Sequence, residues 1–501
     1  MKAKNLLAML LVSVFLLNAV SPSLAVDTLL ASDFMLESWA KTVDFFDYAR
    51  AYATLHGIET PSGFQNWHAY LYMTYINTSG LHLLYAGLCN ITFGGGAYFT
   101  IPMQTFMMHY KTENRSRDVL MASTFLMLLA FNDSENSVFI NSPDINDTLW
   151  ASFSMGFDFS AFNITLPSLN SKTEIIPLTH SSDKLQWSWG MKYTNLTAIW
   201  WRTWINPEDP GYDHSAPVAV TTYDELAFTY NLKISPEDHK ATLTENHVIG
   251  RIRDLWLFGG WFIIPIYAHY NASGCYTYGV KISNETVYEF LQKQQIKMSI
   301  VNFQTSVLLD HETYSLSAGG ENVTDNEKMV SDSFITTYAD DGEKIFDVEF
   351  GAKKNYKLYN YTADPSEQTF DSYEATTRTC RISGFAKNTG LFQYHIGLMK
   401  FLPLLVVNMH PQLYQRAKET ITNMSRANYF YLIAYSNYSG YRVEHDPTFT
   451  AYITATVGDG SAQKWGGIIA ICVAAIVILV AVLTLARRRK QNTSLTQPQK
   501  P

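Results

Sequence analysis

Residues 185–193, LQWSWGMKY, show the pattern that decides the fold of this 501-residue chain. Large apolar side chains alternate there with Gln186, Ser188, Gly190 and Lys192. Successive side chains of a strand point to opposite faces, so this period of two predicts a strand with one buried face. The same alternation recurs at 153–159, 226–234, 276–282, 346–350, 429–435 and 449–453. The sequence therefore predicts a mainly β fold, with long antiparallel strands in one or two large β-sandwiches and few helices.

The region 60–110 contains no Asp, Glu, Lys or Arg. Asn90, the glycines at 94–96 and Pro102 interrupt it, so no apolar run of 18 residues survives. This favours buried strands over membrane helices. Further apolar segments at 119–131, 255–268 and 391–407 are too short or too interrupted to span a bilayer. A chain that crosses the membrane several times is the alternative.

Three segments have helical signals. Apolar side chains recur at spacings of three and four in residues 33–56, although 42–48 fits a strand equally well. A second helix is expected at 285–297. A third is expected from Pro411 to about Thr422, because proline suits the first turn of a helix.

Residues 466–486 form an apolar run without charge, amide or proline. A helix of about 20 such residues crosses the hydrocarbon core of a membrane. Four cations follow at 487–490, and cations mark the cytoplasmic side of a span. Trp465 stands where an interfacial aromatic residue would anchor the helix. We expect one C-terminal transmembrane helix, with a buried core helix as the alternative.

The N-terminus has the features of a secretory signal peptide. Lys2 and Lys4 precede an apolar run, and Ser23 and Ala25 provide a small-x-small cleavage site. Together with the span, this predicts a single-pass protein of the cell membrane, with its ectodomain outside and a short C-terminal tail in the cytoplasm. Two prolines and a glycine at 206–211 predict the main domain break. The predicted organisation is a signal peptide at 1–25, an N-terminal β-rich ectodomain at 26–205, a C-terminal β-rich ectodomain at 212–455, a stalk at 456–465, a transmembrane helix at 466–486 and a cytoplasmic tail at 487–501.

Charge is distributed unevenly about the predicted span. The whole chain has a net charge of −8, and seven cations lie in the signal peptide and the C-terminal tail, which have no acidic residue. The predicted ectodomain therefore carries −15. Such a charge argues against nucleic acid or an anionic lipid surface as its partner.

Acceptor sites for N-glycosylation are dense in the predicted ectodomain. Thirteen Asn-x-Ser/Thr sequons occur there, where roughly four or five would arise by chance. We expect modification, and hence a surface position, at Asn77, Asn90, Asn114, Asn132, Asn146, Asn163, Asn195, Asn271, Asn284, Asn322, Asn360, Asn423 and Asn437. The sequon at Asn492 lies beyond the span and is expected to stay unmodified.

Cysteine is sparse for a chain outside the cell. Cys275 and Cys380 both adjoin polar, strand-like sequence and are the expected disulfide, whereas Cys89 lies in an apolar run and Cys472 in the span. Three buried thiols are the alternative. Few disulfides with many sequons fit an archaeal cell surface better than a eukaryotic one.

Motifs that carry a known mechanism are missing from the sequence. It contains no His-Glu-x-x-His, Gly-x-Ser-x-Gly, P-loop, Cys-x-x-Cys or EF-hand pattern. The acidic stretch 340–343 lacks the alternate ligands of a calcium loop and is expected to be a solvated turn. Several polar residues cluster in sequence without metal spacing, and we expect ordinary surface positions for His214, His239, His247, Glu208, Asp209, Asp213 and Glu245. A metal or catalytic site, formed if strand pairing brings 208–214 near 239–247, is the alternative. No cofactor or metal is expected.

Five tryptophans at 187, 189, 200, 201 and 204 form a distinctive aromatic group. Exposed rings would stack on sugars, but Trp187 and Trp189 share a strand face with Leu185 and Met191, which favours a core position. Trp200 and Trp201 are adjacent, so in a strand they face opposite sides.

The sequence thus predicts a membrane-anchored, glycosylated cell-surface protein. We expect an envelope component, an adhesin or an ectodomain that binds a surface glycan or protein ligand. The missing catalytic motifs favour a non-enzyme and leave enzymatic activity open. A surface-tethered hydrolase with a site assembled in space is the alternative. Converging carboxylates or histidines in a pocket would favour the hydrolase.

Overall fold

The fold is described from a computed structural model of the chain. The described residues lie between 38 and 453. The longer gaps are 133–147, 158–171, 205–216, 259–265, 361–374 and 382–428, with shorter gaps between them, and the termini 1–37 and 454–501 lie outside. For some strand residues only the backbone is described.

The described residues form 27 strands. The first fourteen are β1 (Ser38–Asp44), β2 (His68–Thr78), β3 (Leu81–Phe93), β4 (Ala97–Thr100), β5 (Gln104–Lys111), β6 (Asp118–Asn132), β7 (Thr148–Ser154), β8 (Gly156–Phe157), β9 (Lys172–His180), β10 (Gln186–Trp204), β11 (Pro217–Ser235), β12 (Lys240–Ile249), β13 (Ile252–Phe258) and β14 (Ile266–Asn271). The others are β15 (Gly274–Thr277), β16 (Val280–Ser283), β17 (Ile296–Leu308), β18 (Tyr314–Ala318), β19 (Glu321–Asn322), β20 (Lys328–Val330), β21 (Phe334–Ala339), β22 (Lys344–Glu349), β23 (Tyr356–Asn360), β24 (Ala375–Arg381), β25 (Tyr429–Tyr435), β26 (Tyr441–His445) and β27 (Thr448–Tyr452). Among these residues one α-helix, α1 (Val287–Lys293), and one short 3-10 helix (Phe64–Asn66) have defined bounds.

Antiparallel pairing organises these strands into two layers. The first layer contains β1, β2, β3, β5 and the N-terminal half of β6. The second contains β9, β10, β11, β12, β27 and β22. The layers are continuous at one corner, because β7 pairs with the C-terminal halves of both β6 and β10.

Aromatic side chains join the two layers into one core. Tyr85 of the first layer contacts Trp189 and Tyr230 of the second, at ring-centroid distances of 5.8 and 4.8 Å. Phe125 likewise meets Phe228 at 4.4 Å. The fold is thus mainly β, sandwich-like and built from antiparallel strands with few helices, as the period-two pattern predicts.

The alternating segments behave as expected where their side chains are described. Trp187, Trp189, Met191 and Tyr193 are buried on one face of β10, and Gln186 on the other face is exposed. On β11, buried residues at 226–234 alternate with the exposed Asn231 and Lys233. The prediction that Trp187 and Trp189 belong to the core is confirmed. The side chains of Trp200, Trp201 and Trp204 lie outside the described residues.

Gly190 allows β10 and β11 to approach closely. A Cβ atom at this position would lie 2.2 Å from the carbonyl oxygen of Phe228. The pairing of β10 with β9 also shifts register between Ser188 and Gly190. Glycine in a strand often marks such a close backbone approach, which explains the glycine at this position.

The helical predictions have mixed outcomes. Residues 38–44 form β1, so the helix predicted at 33–56 is wrong there. The strand alternative at 42–48 holds only to Asp44, because Phe46 and Asp47 are helical, as are Arg50 and Thr54 further along. Each residue of β1 is paired with β2, and sheet pairing outweighs the local helical period. The helix predicted at 285–297 is present in a shorter form, because Ile296 already belongs to β17. The helix predicted from Pro411 lies outside the described residues.

The predicted domain break at 206–211 lies in the connection between β10 and β11, outside the described residues. These two strands pair with each other in antiparallel register, from the Gln186–Lys233 pair at one end to the Trp201–Pro217 pair at the other. Trp189, from one predicted half, stacks on Tyr230 from the other at 5.5 Å. The division stays a prediction, and the described strands give it no support, since they share one sheet and one core across it.

The predicted terminal segments all lie outside the described residues: the signal peptide at 1–25, the stalk at 456–465, the span at 466–486 and the tail at 487–501. Within the described part of the chain, no helix has the length and apolar character needed to cross a membrane.

Replacing Trp189 by alanine is expected to lower the free energy of unfolding by about 3–5 kcal/mol, because the change leaves a cavity between the layers. Chemical denaturation of the purified protein measures this loss. The matched control is Ile282→Ala on the exposed strand β16, expected to change the free energy by less than about 0.5 kcal/mol. Equal effects of the two substitutions would contradict the assignment of Trp189 to the core.

Candidate functional site

Exposed apolar side chains concentrate on β14, β15 and β16, here called the apolar hairpin (266–283). Five large hydrophobic residues are exposed among those described, and four lie in this segment: Tyr267, Tyr278, Val280 and Ile282, each at least 59% exposed. The fifth, Tyr70, is 37% exposed. A concentration of exposed apolar side chains in one segment is a feature of interaction sites.

Local sequence explains why the apolar hairpin projects. Tyr278 and Gly279 form a two-residue turn with φ of 47° and 80°, as a type I′ hairpin requires. At the other end, Asn271 Oδ1 accepts a hydrogen bond from the backbone nitrogen of Ser273 at 2.7 Å. Gly274 has a φ of 141°, and a Cβ there would lie 2.5 Å from the carbonyl oxygen of Ser283. Both turns are thus set by residues suited to them.

Helix α1 supports the base of the apolar hairpin. Thr286 and Glu289 form a capping box that satisfies the first backbone donors of the helix. Val287 and Leu291 are buried, and Phe290 packs on Tyr270 with ring centroids 4.5 Å apart. The tip of the apolar hairpin is therefore exposed while its base is fixed.

A polar cluster borders the apolar hairpin on β13 and β14. His269 lies flat on Trp256, with ring centroids 4.4 Å apart and an interplanar angle of 1°. Its Nε2 lies 3.1 Å from Asp254 Oδ1, and Arg253 Nε donates to Asp254 Oδ2 at 2.8 Å. Arg253 also donates from Nη1 to Asn195 Oδ1 at 2.8 Å. A carboxylate thus orients a partly exposed imidazole, the relation that positions a general base in hydrolases.

The pKa of Asp254 reflects competing effects. Burial, the largest effect, acts to raise it, but hydrogen bonds from His269 and Arg253 and the charge of Arg253 together hold the pKa below its ordinary value of 3.8. Asp254 is therefore ionised at neutral pH, and its charge stabilises the folded state.

Another acidic group lies inside the core. Glu245 and His247 are each 1% exposed, and Glu245 Oε1 lies 3.1 Å from His247 Nε2. Tyr230 donates to Glu245 Oε1 at 2.7 Å. Burial raises the pKa of Tyr230 well above its ordinary value, and the charge of Glu245 raises it further. Glu245 thus has the hydrogen-bonding partners that a polar group buried in an aromatic core requires.

The surface positions predicted for the sequence-clustered polar residues hold only in part. His247 and Glu245 are buried, so that prediction is wrong for them. The register of β11 and β12 places them opposite Phe228 and Tyr230, whose side chains face the core. His239 closes the turn before β12 and is half-buried. The other four residues of the set lie outside the described residues: His214, Glu208, Asp209 and Asp213. Among the described residues, no group of three or more His, Cys, Asp or Glu side chains is placed to hold a metal ion.

The acidic stretch 340–343 forms a turn between β21 and β22. Asp340 and Asp341 are exposed, as predicted for a solvated turn, but the side chain of Glu343 is only 6% exposed. Two of its carboxylates approach a buried arginine: Arg117 Nη2 lies 2.9 Å from Asp341 Oδ2, and its Nε lies 3.5 Å from Glu343 Oε2. Arg117 is only 4% exposed. These contacts tie the second layer to the residues between β5 and β6.

The thirteen predicted glycosylation sites fall into three groups. Among those with described side chains, Asn284 is exposed, Asn77, Asn195 and Asn271 are partly exposed, and Asn90 has a buried carbonyl oxygen. Only the backbone is described for Asn132, Asn322 and Asn360. The sites at Asn114, Asn146, Asn163, Asn423 and Asn437 lie outside the described residues. Modification at each site stays a prediction.

The cysteines are partly described. Cys275 on β15 and Cys89 on β3 are buried, and neither forms a disulfide with another described side chain. Cys380 lies on β24, and its side chain is outside the described residues. The pairing of Cys275 with Cys380 stays a prediction.

Sequence reasoning missed both the exposure of the apolar hairpin and the contact between Asp254 and His269. Residues 276–282 were expected to form a half-buried strand, but β16 is exposed at all four positions. The Tyr278-Gly279 turn within that segment was the available signal. The Asp254–His269 contact depends on pairing between β13 and β14, and no sequence motif marks it.

Replacing Asp254 by asparagine is expected to lower the free energy of unfolding by roughly 1–2 kcal/mol at pH 7, because His269 and Arg253 lose a charged acceptor. The pKa of Asp254 is lower in the folded protein than its ordinary value of 3.8. The stability that its charge gives the folded state is therefore complete above pH 3.8 and is lost as the pH falls through the lowered pKa. The difference between wild type and D254N should therefore shrink below about pH 4. Denaturation at pH 7, 5 and 3 measures this difference in the free energy of unfolding, and D238N in an exposed turn is the control. A difference between wild type and D254N that does not depend on pH would contradict this account.

Comparisons with known proteins identify no relative of this chain. A scan against protein-family models, a search of curated proteins and a search of solved structures each found no match. Inference about function therefore rests on the sequence and on the geometry of the described residues.

Proposed function

We propose that this chain is a single-pass, N-glycosylated cell-surface protein that binds a protein partner through its apolar hairpin, as an adhesin or envelope component does. In this proposal a secretory signal at 1–25 directs a β-sandwich ectodomain outside, and the helix at 466–486 anchors it, with the tail at 487–501 in the cytoplasm. The observation that carries the proposal is the position of the apolar hairpin relative to the point where the chain leaves the described strands.

Strand register supports a hairpin that faces away from the membrane. Ser235, at the C-terminal end of β11, pairs with Lys240, which pairs with Tyr452 of β27. The chain leaves the described strands there and continues toward the proposed span. At the other end of β11, Ala219 pairs with Leu257 of β13, the strand that carries β14. At about 3.3 Å per residue, Ala219 and Ser235 are roughly 50 Å apart along the strand.

The chemistry of the apolar hairpin favours a protein partner. Val280 and Ile282 are both exposed on β16, and Tyr278 occupies the turn beside them. Branched aliphatic side chains bury well against an apolar protein surface, whereas sugars stack on flat aromatic rings. Tyrosine is also enriched in protein interfaces. A glycan ligand, which aromatic residues would favour, is an outcome that the experiment below distinguishes.

Two predicted glycosylation sites flank the apolar hairpin. Asn271 ends β14, and Asn284 follows β16 directly. Glycans at these positions would leave the tip at Tyr278 accessible while covering the base.

The alternative, a surface-tethered hydrolase, has support from the Asp254–His269 contact. A partly exposed imidazole held by a carboxylate can accept a proton. The stacking of His269 on the buried Trp256 equally explains the same geometry as a packing contact. D254N discriminates, because it would abolish hydrolysis of soluble ester or glycoside substrates while leaving adhesion unchanged.

The triple substitution Y278S/V280T/I282T is expected to reduce adhesion of cells that display the full-length chain by at least fivefold, because it removes the exposed apolar surface. The fraction of displaying cells bound to non-displaying cells measures the effect. Y70S, at the exposed aromatic residue outside the apolar hairpin, should stay within twofold of wild type at matched surface amounts. Protease treatment of the partner cells should abolish binding, whereas periodate treatment would do so for a glycan ligand. Unchanged adhesion of the triple variant would overturn the proposal.

Glycan occupancy is expected to follow exposure. Asn284 is exposed, whereas Asn90 has a buried carbonyl oxygen, so mass spectrometry of glycopeptides should find higher occupancy at Asn284. N284Q should remove that glycopeptide without affecting the others. Bare sequons throughout the chain isolated from its native host would contradict the surface-glycoprotein proposal.

A further inference from the structure

A row of small, uncharged polar side chains crosses the outer face of the second layer. Strand pairing places five such residues opposite one another in turn, and we call them the polar row: Thr179 of β9, Ser188 of β10, Asn231 of β11, Thr244 of β12 and Thr448 of β27. Directly opposed residues of antiparallel strands point to the same face. Leu243 and Glu245, on either side of Thr244, are buried, so the polar row faces away from the core.

Solvent reaches every member of the polar row. Thr179 and Asn231 are exposed, and Ser188, Thr244 and Thr448 are partly exposed. The hydroxyl oxygens of Thr244 and Thr448 lie 3.4 Å apart, so one polar group of a ligand can contact both.

Strand propensity alone does not account for this composition. Threonine favours strands, but asparagine is depleted from them. Asn231 and Asn246 nevertheless lie within the paired parts of β11 and β12, on the outer face. Charged side chains stand only beside the polar row: Lys233 lies two residues from Asn231, and Glu349 pairs with Thr448. An uncharged surface of hydrogen-bonding groups favours an uncharged ligand that can both donate and accept.

The spacing of the polar row fits a linear polysaccharide. Neighbouring strands lie about 4.8 Å apart, so the five members span roughly 19 Å. This strand spacing is close to the length of one pyranose unit, so successive sugars can each meet one member. The hydroxyls and the amide both donate and accept hydrogen bonds, as sugar hydroxyls do. An apolar partner would instead leave these groups buried without hydrogen bonds, which costs free energy.

The predicted glycosylation sites leave the polar row clear. No member is the asparagine of a sequon, and the one sequon within β9 to β12 and β27 is at Asn195. Asn195 lies seven residues from Ser188 along β10, which is roughly 23 Å. A glycan at Asn195 would therefore be attached well away from the polar row.

We propose that the polar row binds a neutral polysaccharide, which lies across β9, β10, β11, β12 and β27. Hydrogen bonds supply the binding, and the affinity of a single chain is low because the row contains no aromatic ring for a sugar to stack on. Many copies anchored on one cell surface engage the same polymer together, which raises the overall affinity. This inference shares the cell-surface location with the proposed function but does not need the apolar hairpin or its protein partner.

The test measures the mobility of the purified full-length protein in native gels that contain a soluble polysaccharide. Dextran, mannan and hydroxyethyl cellulose are the neutral probes, and alginate is the acidic one. At least one neutral probe should retard the wild-type protein, and the dependence of the mobility on probe concentration gives the Kd. T244V/T448V should raise this Kd at least fivefold, because it removes two hydroxyls that bond the polymer. The matched control, T194V on the same face toward the other end of β10, should stay within twofold of wild type.

Two further variants keep the proposal testable if T244V/T448V fails to fold. Asn231 is exposed, so N231K should fold, and its long charged side chain should obstruct the polar row and abolish the retardation. Y278S/V280T/I282T should bind the polysaccharide as the wild type does, so this proposal and that of the apolar hairpin can fail separately. No retardation by any neutral probe, equal affinities in wild type and T244V/T448V, or equal retardation by alginate would overturn the proposal.

Discussion

The pairing of β10 with β11 is the constraint on which the rest of the fold depends. Both strands are 19 residues long, and each changes its second partner partway along: β10 from β9 to β7, and β11 from β12 to β13. Because side chains alternate with a period of two, a slip of one residue would turn Trp189 and Tyr230 away from the core. The aromatic contacts among Trp189, Tyr230 and Tyr85 therefore specify the register of β10 and β11. The strands that pair with β10 and β11 are aligned on that register.

The same register explains the polar groups inside the core. Glu245 and His247 alternate with Asn246 and Val248 on β12, and the pairing with β11 turns them toward the first layer. Removing a carboxylate from water is costly unless hydrogen bonds compensate, and here Tyr230 donates to Glu245 while His247 lies beside it. A buried group of this kind is satisfied in one register only. It therefore adds to the discrimination against slipped pairings that the aromatic residues provide.

Much of the fold could be predicted from the sequence, because alternation is a local signal. The strands at 185–193 and 226–234, and the burial of Trp187 and Trp189, follow directly from it. Pairing partners could not be predicted, since they depend on contacts distant along the chain. Thus residues 38–44 have a helical period but form β1 against β2.

Alternation also cannot tell an edge strand from a central one, and this distinction bears on function. β16 has described pairing only with β15, and all four of its residues are exposed. An exposed strand edge with apolar residues invites uncontrolled pairing with other chains, and proteins commonly blunt such edges with a charge. Lys281 stands between Val280 and Ile282, and the sequon at Asn284 adjoins the strand end. A segment protected against pairing along its edge, and yet apolar on its face, has the features of a surface kept for one specific contact.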